Sequence, residues 1–309
     1  MDQCIITEVG LRDGLQNEPN FLATEKKSDI ANRVIAAGVS RIEATSFVSP
    51  KAVPQLADAE DMIAGINRTD DLIIEALAPN KRGGLRAASA NVDVWVAFLS
   101  ASEKHSLANS NASIADAFER IVPMVQLAED QNASITAAIA VAFDCPFEGA
   151  TPVERVVKIA QNFFEIGVRT LKLGDTIGTA SPSRVRALVS ALTRELPEME
   201  LVLHFHNTRG LGLSNVLVGL ECGVSRYEAS LGGLGGCPFA PGASGNIATE
   251  DLVHLLHLEG VKTGIDLDAL INAGAVFSEY LGRKLPAHLQ SARPVGVTYD
   301  FDSALRATG

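Results

Sequence analysis

Short apolar runs rich in branched residues alternate with longer amphipathic ones along most of the chain. The short runs read as strands at Ile5–Val9, Arg41–Ser46, Leu72–Leu77, Val92–Leu99, Ser134–Phe143, Thr170–Leu173, Leu201–Phe205 and Arg226–Leu231. Helical patterns lie between them. Thr24 caps one that runs to Ala37 and closes at Gly38. Pro152 opens another through Ile166, closed by Gly167, and Ser181 with Pro182 opens a third that ends before Pro197. Such alternation calls for a parallel sheet, because each right-handed crossover returns the chain in the same direction. Eight strands within about 230 residues match the count and spacing of an α/β (β/α)8 TIM barrel, with a doubly wound sheet as the alternative. Residues 1–286 read as one barrel domain, with further helices over Ile247 to about Gly282. The stretch 287–309, which contains Pro and Ser, reads as a loosely ordered tail.

Functional groups of a barrel gather at the C-terminal ends of its strands. Here strand one is followed by Arg12-Asp13-Gly14, and strand two carries Glu43 and Ser46. Strand six leads into Gly174-Asp175-Thr176, and strand seven into His204-Phe205-His206-Asn207. After strand eight come Gly232-Gly233-Leu234-Gly235-Gly236-Cys237-Pro238 and Gly242-Ala243-Ser244-Gly245-Asn246. Side chains two apart on an extended segment point the same way, so His204 and His206 face one point. Taken alone, that pattern fits packed histidines as well as metal ligands.

Of the 309 residues, 47% are hydrophobic and 20% charged, and the formal net charge is −11. Without a basic stripe, nucleic acid and anionic membrane are poor partners. Cys4, Cys145, Cys222 and Cys237 have no paired spacing, which argues against a disulfide framework or zinc knuckle and for a reducing compartment. No signal peptide pattern opens the chain and no apolar run reaches the roughly 18 residues of a membrane span, so a cytoplasmic location is expected.

The blocks "EVGLRDGLQNEP", "IEATSFVSP", "LGDTIG", "HFHNTRG" and "GGLGGCPFAPGASGNIATEDLV" occur in this order between about Cys4 and Leu258. They resemble the signature blocks of the 3-hydroxy-3-methylglutaryl-CoA lyase family, metal-dependent barrel enzymes of the retro-Claisen group. The resemblance implies a divalent cation, Mg²⁺ or Mn²⁺, held by Asp13, His204, His206 and Asn246. Carboxylate, amide oxygen and imidazole donors suit both ions. It implies an acyl-CoA substrate whose C2–C3 bond is cleaved, 3-hydroxy-3-methylglutaryl-CoA giving acetyl-CoA and acetoacetate. Arg12 would face the developing enolate, and Glu43 would position either Arg12 or the C3 hydroxyl. Asp175, or solvent at the metal, would take the hydroxyl proton. Cys237, in a glycine-rich loop, would return a proton to the acetyl carbanion. Gln16, Ser46, Thr176 and Arg209 are the expected substrate contacts beside Arg12, and His105 is a further candidate. A homo-oligomer, dimer or tetramer, is expected.

Several positions depart from the family pattern. Asn207-Thr208-Arg209-Gly210-Leu211 stands where Asp-Thr-Tyr-Gly-Gln is usual, and Pro19 replaces a lysine. Lys172 stands for a serine and Ala138 for a tyrosine. The added charge of Arg209 and Lys172 either pairs with Asp175 or another neighbour or makes citramalyl-CoA, cleaved to acetyl-CoA and pyruvate, the alternative substrate. Asn207 resembles the His-x-His-Asn pattern of Claisen-condensing synthases, the third reading.

Overall fold

The computed structural model describes residues 2–236, 245–292, 295–296 and 298. The chain begins with β1 (Ile5–Glu8), α1 (Thr24–Ala36), β2 (Arg41–Ser46), α2 (Ala59–Ala64), β3 (Ile73–Leu77), α3 (Lys81–Ser89) and β4 (Val94–Ser100). It continues through α4 (Glu103–Ser110), α5 (Ile114–Asp130), β5 (Ser134–Ala140), a short hairpin of β6 (Asp144–Cys145) and β7 (Gly149–Ala150), and α6 (Val153–Glu165). Then come β8 (Thr170–Asp175), α7 (Pro182–Glu195), β9 (Glu200–Phe205), α8 (Gly212–Glu221), β10 (Arg226–Ala229), α9 (Thr249–Leu258) and α10 (Leu267–Leu281). Eight parallel strands close in the order β1-β10-β9-β8-β5-β4-β3-β2, so the expected (β/α)8 barrel is present. The closing seam pairs Ile5 with Arg226 through Glu8 with Ala229.

Side-chain alternation along the strands divides the interior into two layers. Ile42, Ile74, Trp95, Leu171, Leu203 and Tyr227 are buried between sheet and helices and carry the hydrophobic stabilisation. Their neighbours face the axis, where barrels are usually filled with branched aliphatic side chains. Here the axis holds Glu43, Glu75, Lys172 and Glu228 instead, all buried. The seam and this charged axis place the strand-end residues over one floor.

Two local expectations need correction. Thr24 is the first helical residue rather than the cap, and its hydroxyl donates to Asp58 Oδ2 at 2.7 Å. The segment after Pro286 is not loose at its start. The Asp251 carboxylate accepts from the amides of His288 and Leu289, Gln290 donates to Glu250, and Leu289 is buried. Among the described residues, no helix is long and apolar enough to cross a membrane.

Candidate active site

After β1 the backbone makes a wide turn of π-helix over Gly10–Gly14. The amides of Asp13 and Gly14 both donate to Val9 O, and this tight return carries Arg12 and Asp13 over the barrel mouth. One oxygen, Glu8 Oε1, accepts from Gly10 N and from Leu231 N, each at 2.7 Å. Glu8 thus pins the turn after β1 to the turn after β10. A Cβ on Gly10 would stand 2.6 Å from that same oxygen, which accounts for the glycine.

Asp13, His204 and His206 are buried with one donor atom each inside a 4.8 Å cluster. The two imidazole Nε2 atoms are 3.1 Å apart. Asp13 Oδ2 lies 3.7 Å from the Nε2 of His206 and 4.0 Å from that of His204. Asn246 bridges to His206 through the backbone, and its Nδ2 donates to Asp13 Oδ2 and Leu234 O. Its buried Oδ1 finds no partner among the described residues. Two facing imidazole lone pairs at this spacing repel unless a cation lies between them. Adjacent ligands about 2.1 Å from an octahedral ion stand about 3 Å apart, so the donor set fits a divalent cation. His204 Nδ1 lies 2.9 Å from Glu228 Oε2. That carboxylate accepts the Nδ1 proton and leaves Nε2 as the ligand atom. Burial by itself raises the Asp13 carboxyl, but Arg12 and the histidines outweigh it and hold the group well below the usual carboxylate range. Asp13 is therefore ionised.

Arg12 is gripped on two sides. Its Nε donates to Glu43 Oε1 at 2.5 Å and its Nη1 to Asp13 Oδ1 at 2.6 Å. Gln16 Nε2 donates to the same Asp13 oxygen at 2.8 Å. Behind Glu43 lies Lys172, which is ion-paired with Glu43, Glu75 and Glu228. Of the two expectations for Lys172, pairing with neighbouring carboxylates holds rather than free positive charge: it reaches the cavity lining, but it is buried and its partners are these glutamates rather than Asp175. Glu75 and Glu228 were not among the expected residues. A signal was present, since both are fully buried charges set among apolar strand residues, Glu75 as the lone charge of its strand and Glu228 two residues after Arg226.

A cavity of about 590 Å³ opens above this floor. Arg12, Gln16, Ser46, Thr176, His204 and His206 line it. The wall continues past Phe98 and Ala138 to His105, whose Nδ1 is 3.0 Å from Ser100 Oγ. Arg209 is a correction. It is exposed, its Nη1 donates to the carbonyls of Ile177 and Gly178, and it does not line the cavity. Asp175 is another. It is buried off the cavity wall, and its Oδ1 accepts from the amides of Thr179 and Ala180. Burial raises its carboxyl above the ordinary value. Cys237 lies outside the described residues.

The HMGL-like family model matches residues 3–276. The hydroxymethylglutaryl-CoA lyase YngG of Bacillus subtilis is 42% identical over 282 residues, covering 91% of this chain and 94% of that one. A cytoplasmic 3-hydroxy-3-methylglutaryl-CoA lyase of Danio rerio is 40% identical over 93% of this chain and 86% of its own length. Among solved structures, an HMG-CoA lyase of Acinetobacter baumannii in complex with coenzyme A and 3-methylmalate superposes with a TM-score of 0.92. That chain is 44% identical, with 97% of this chain and 98% of that one covered. The barrel, the clustered donors and these matches agree, and the chain belongs to the HMGL-like family.

Proposed function

We propose that the protein cleaves 3-hydroxy-3-methylglutaryl-CoA to acetyl-CoA and acetoacetate, with Mg²⁺ or Mn²⁺ held by Asp13, His204, His206 and Asn246. One observation carries the reading: paired imidazole Nε2 atoms 3.1 Å apart, beside Asp13 and an unpartnered Asn246 oxygen, in the floor of a cavity that Arg12 enters. When bound, a divalent cation supplies Lewis acidity toward substrate oxygens. The chain's residues supply the rest. As the C3 hydroxyl passes its proton to a water molecule in the cavity, C3 becomes a ketone and the C2–C3 electron pair moves onto the thioester, making an enolate. Arg12, fixed by Glu43 and Asp13, offers a preorganised positive charge to that oxygen. Protonation at C2 then completes acetyl-CoA, and the resemblance assigns that acid to Cys237. Gln16 steadies Asp13, while Ser46 and Thr176 line the cavity with hydroxyls that accept from the amides of Val48 and Val141. Asp175 is not assigned as the base, because it faces away from the cavity.

The acyl carrier is coenzyme A, as in the A. baumannii complex, and a reducing cytoplasm suits the scattered thiols. Arg209 is engaged by loop carbonyls off the cavity wall, and Lys172, which lines the cavity, is ion-paired with three carboxylates, so neither offers the free charge that favoured citramalyl-CoA. Purified protein with each ester, assayed for acetoacetate against pyruvate, tests the reading. A preference of tenfold or more for citramalyl-CoA, or no cleavage of either ester, overturns it.

A further inference from the structure

The barrel axis beneath the cavity carries a closed arrangement of charges with a regular division of labour. Lys172 Nζ lies 2.7 Å from Glu43 Oε2, 2.7 Å from Glu75 Oε2, and closer still to Glu228 Oε1. An ammonium has three N–H groups, and three carboxylate oxygens surround this one. Each glutamate turns its other oxygen outward from the cluster. Glu43 Oε1 holds Arg12 Nε at 2.5 Å, Glu228 Oε2 meets His204 Nδ1 at 2.9 Å, and Glu75 Oε1 holds Arg41 Nη1 at 2.6 Å. All four charged side chains are at most 3% exposed. Without a cation among them, three buried carboxylates this close repel one another or take up protons.

We infer that Lys172 is a positioning residue for the reaction: by tying Glu43 and Glu228 to one ammonium, it sets Arg12 and His204 in a fixed relation to each other. The two groups come from opposite parts of the chain, and this cluster is a rigid link between them beneath the floor. Lys172 is neither a base nor a substrate anchor. An ion-paired ammonium has no lone pair, and carboxylates enclose its donors. Its role in turnover rests on the lyase reading, whereas its hold on His204 does not.

The test uses Lys172→Met alone and combined with Glu75→Gln. Glu75 touches neither Arg12 nor His204, so the second change relieves charge repulsion without removing a grip. Mn²⁺ affinity is measured by titration calorimetry, kcat and KM by acetoacetate release, and folding by melting temperature. Lys172→Met is expected to weaken Mn²⁺ binding about 10- to 100-fold, as losing the support behind a ligand does. It should lower kcat with KM changed by no more than about threefold, and the double variant should regain most of the Mn²⁺ affinity. Should Lys172→Met fail to fold, Lys172→Gln carries the same measurements. Wild-type Mn²⁺ affinity and kcat in a folded Lys172 variant overturn the inference. So does a loss that follows melting temperature alone and is not rescued by Glu75→Gln. A wild-type protein inert toward the ester sinks the lyase reading but leaves the Mn²⁺ comparison intact.

Discussion

Asn246 reaches Asp13 across the barrel mouth, donating from Nδ2 to Oδ2 at 2.7 Å although 233 positions separate them. This contact completes the donor set that the two histidines begin. Treatment with EDTA should abolish cleavage, and Mg²⁺ or Mn²⁺ should restore it. His204→Ala and Asn246→Ala should each weaken Mn²⁺ binding by more than about 10²-fold, exceeding what removal of a ligand's supporting group costs. Undiminished turnover in metal-free protein would sink the assignment.

Arg12→Gln removes the fixed charge while keeping a polar side chain. Loss of a preorganised electrostatic group costs about 10²–10³ in kcat. Mn²⁺ binding should persist, because Asp13 keeps its contacts with Gln16 and Asn246. A drop of tenfold or less in single-turnover rate assigns Arg12 a purely structural part.

Arg209→Tyr should leave the ratio of kcat/KM for the two esters unchanged within about twofold, the range for a surface substitution. Its guanidinium holds the loop after β8 rather than facing the cavity. A tenfold change in the ratio would bring it back into substrate selection.

The barrel was legible because strand and helix periods alternate cleanly and polar residues cluster at strand ends. The metal donors followed from those ends together with the resemblance. Asp175 lies off the cavity wall for a specific reason. The sixth barrel strand extends to Asp175, two residues beyond the Leu173 where the apolar run stops. Strand parity then puts Lys172 and Gly174 toward the axis and turns Asp175 away. The partners of Lys172 were not legible because they lie on three other strands, brought together only by barrel closure. Arg209 depends on two loop carbonyls, which carry no side-chain signature in a sequence.

Glu8 and Glu250 predict a pH effect on stability. Burial pushes each carboxyl up to about 7, from an ordinary 4.5. Between those values the folded protein keeps protons that the unfolded chain has released, so stability falls as pH rises from about 4.5 to 7. Glu250→Gln, which cannot ionise, should flatten that fall in melting temperature. Comparison with wild type separates this from His105, whose burial acts oppositely. Parallel melting curves across that range would contradict the assignment.

Thiol chemistry tests Cys237. Cys4 and Cys145 are buried, and burial pushes the Cys4 thiol up to about 11, so neither should react quickly with iodoacetamide. Alkylation that stops turnover should map to Cys237 and be slowed by a CoA ester. Cys237→Ala should retain Mn²⁺ binding while losing at least about 10² in kcat, in the range of general acid catalysis. An inactive Cys145→Ala beside an active Cys237→Ala would reverse the assignment.

The seam between β1 and β10 also bears on how the protein is made. A growing chain presents Asp13 early and both histidines much later, yet Asp13 stays apart from them until β10 has docked beside β1. Domains are assembled as units during synthesis, and a metal site exists only where folding has gathered its donors. A ribosome-bound fragment ending before Asn246 therefore lacks a complete set of donors. On the proposed assignment, capture of a divalent cation at full strength would report that the barrel has closed.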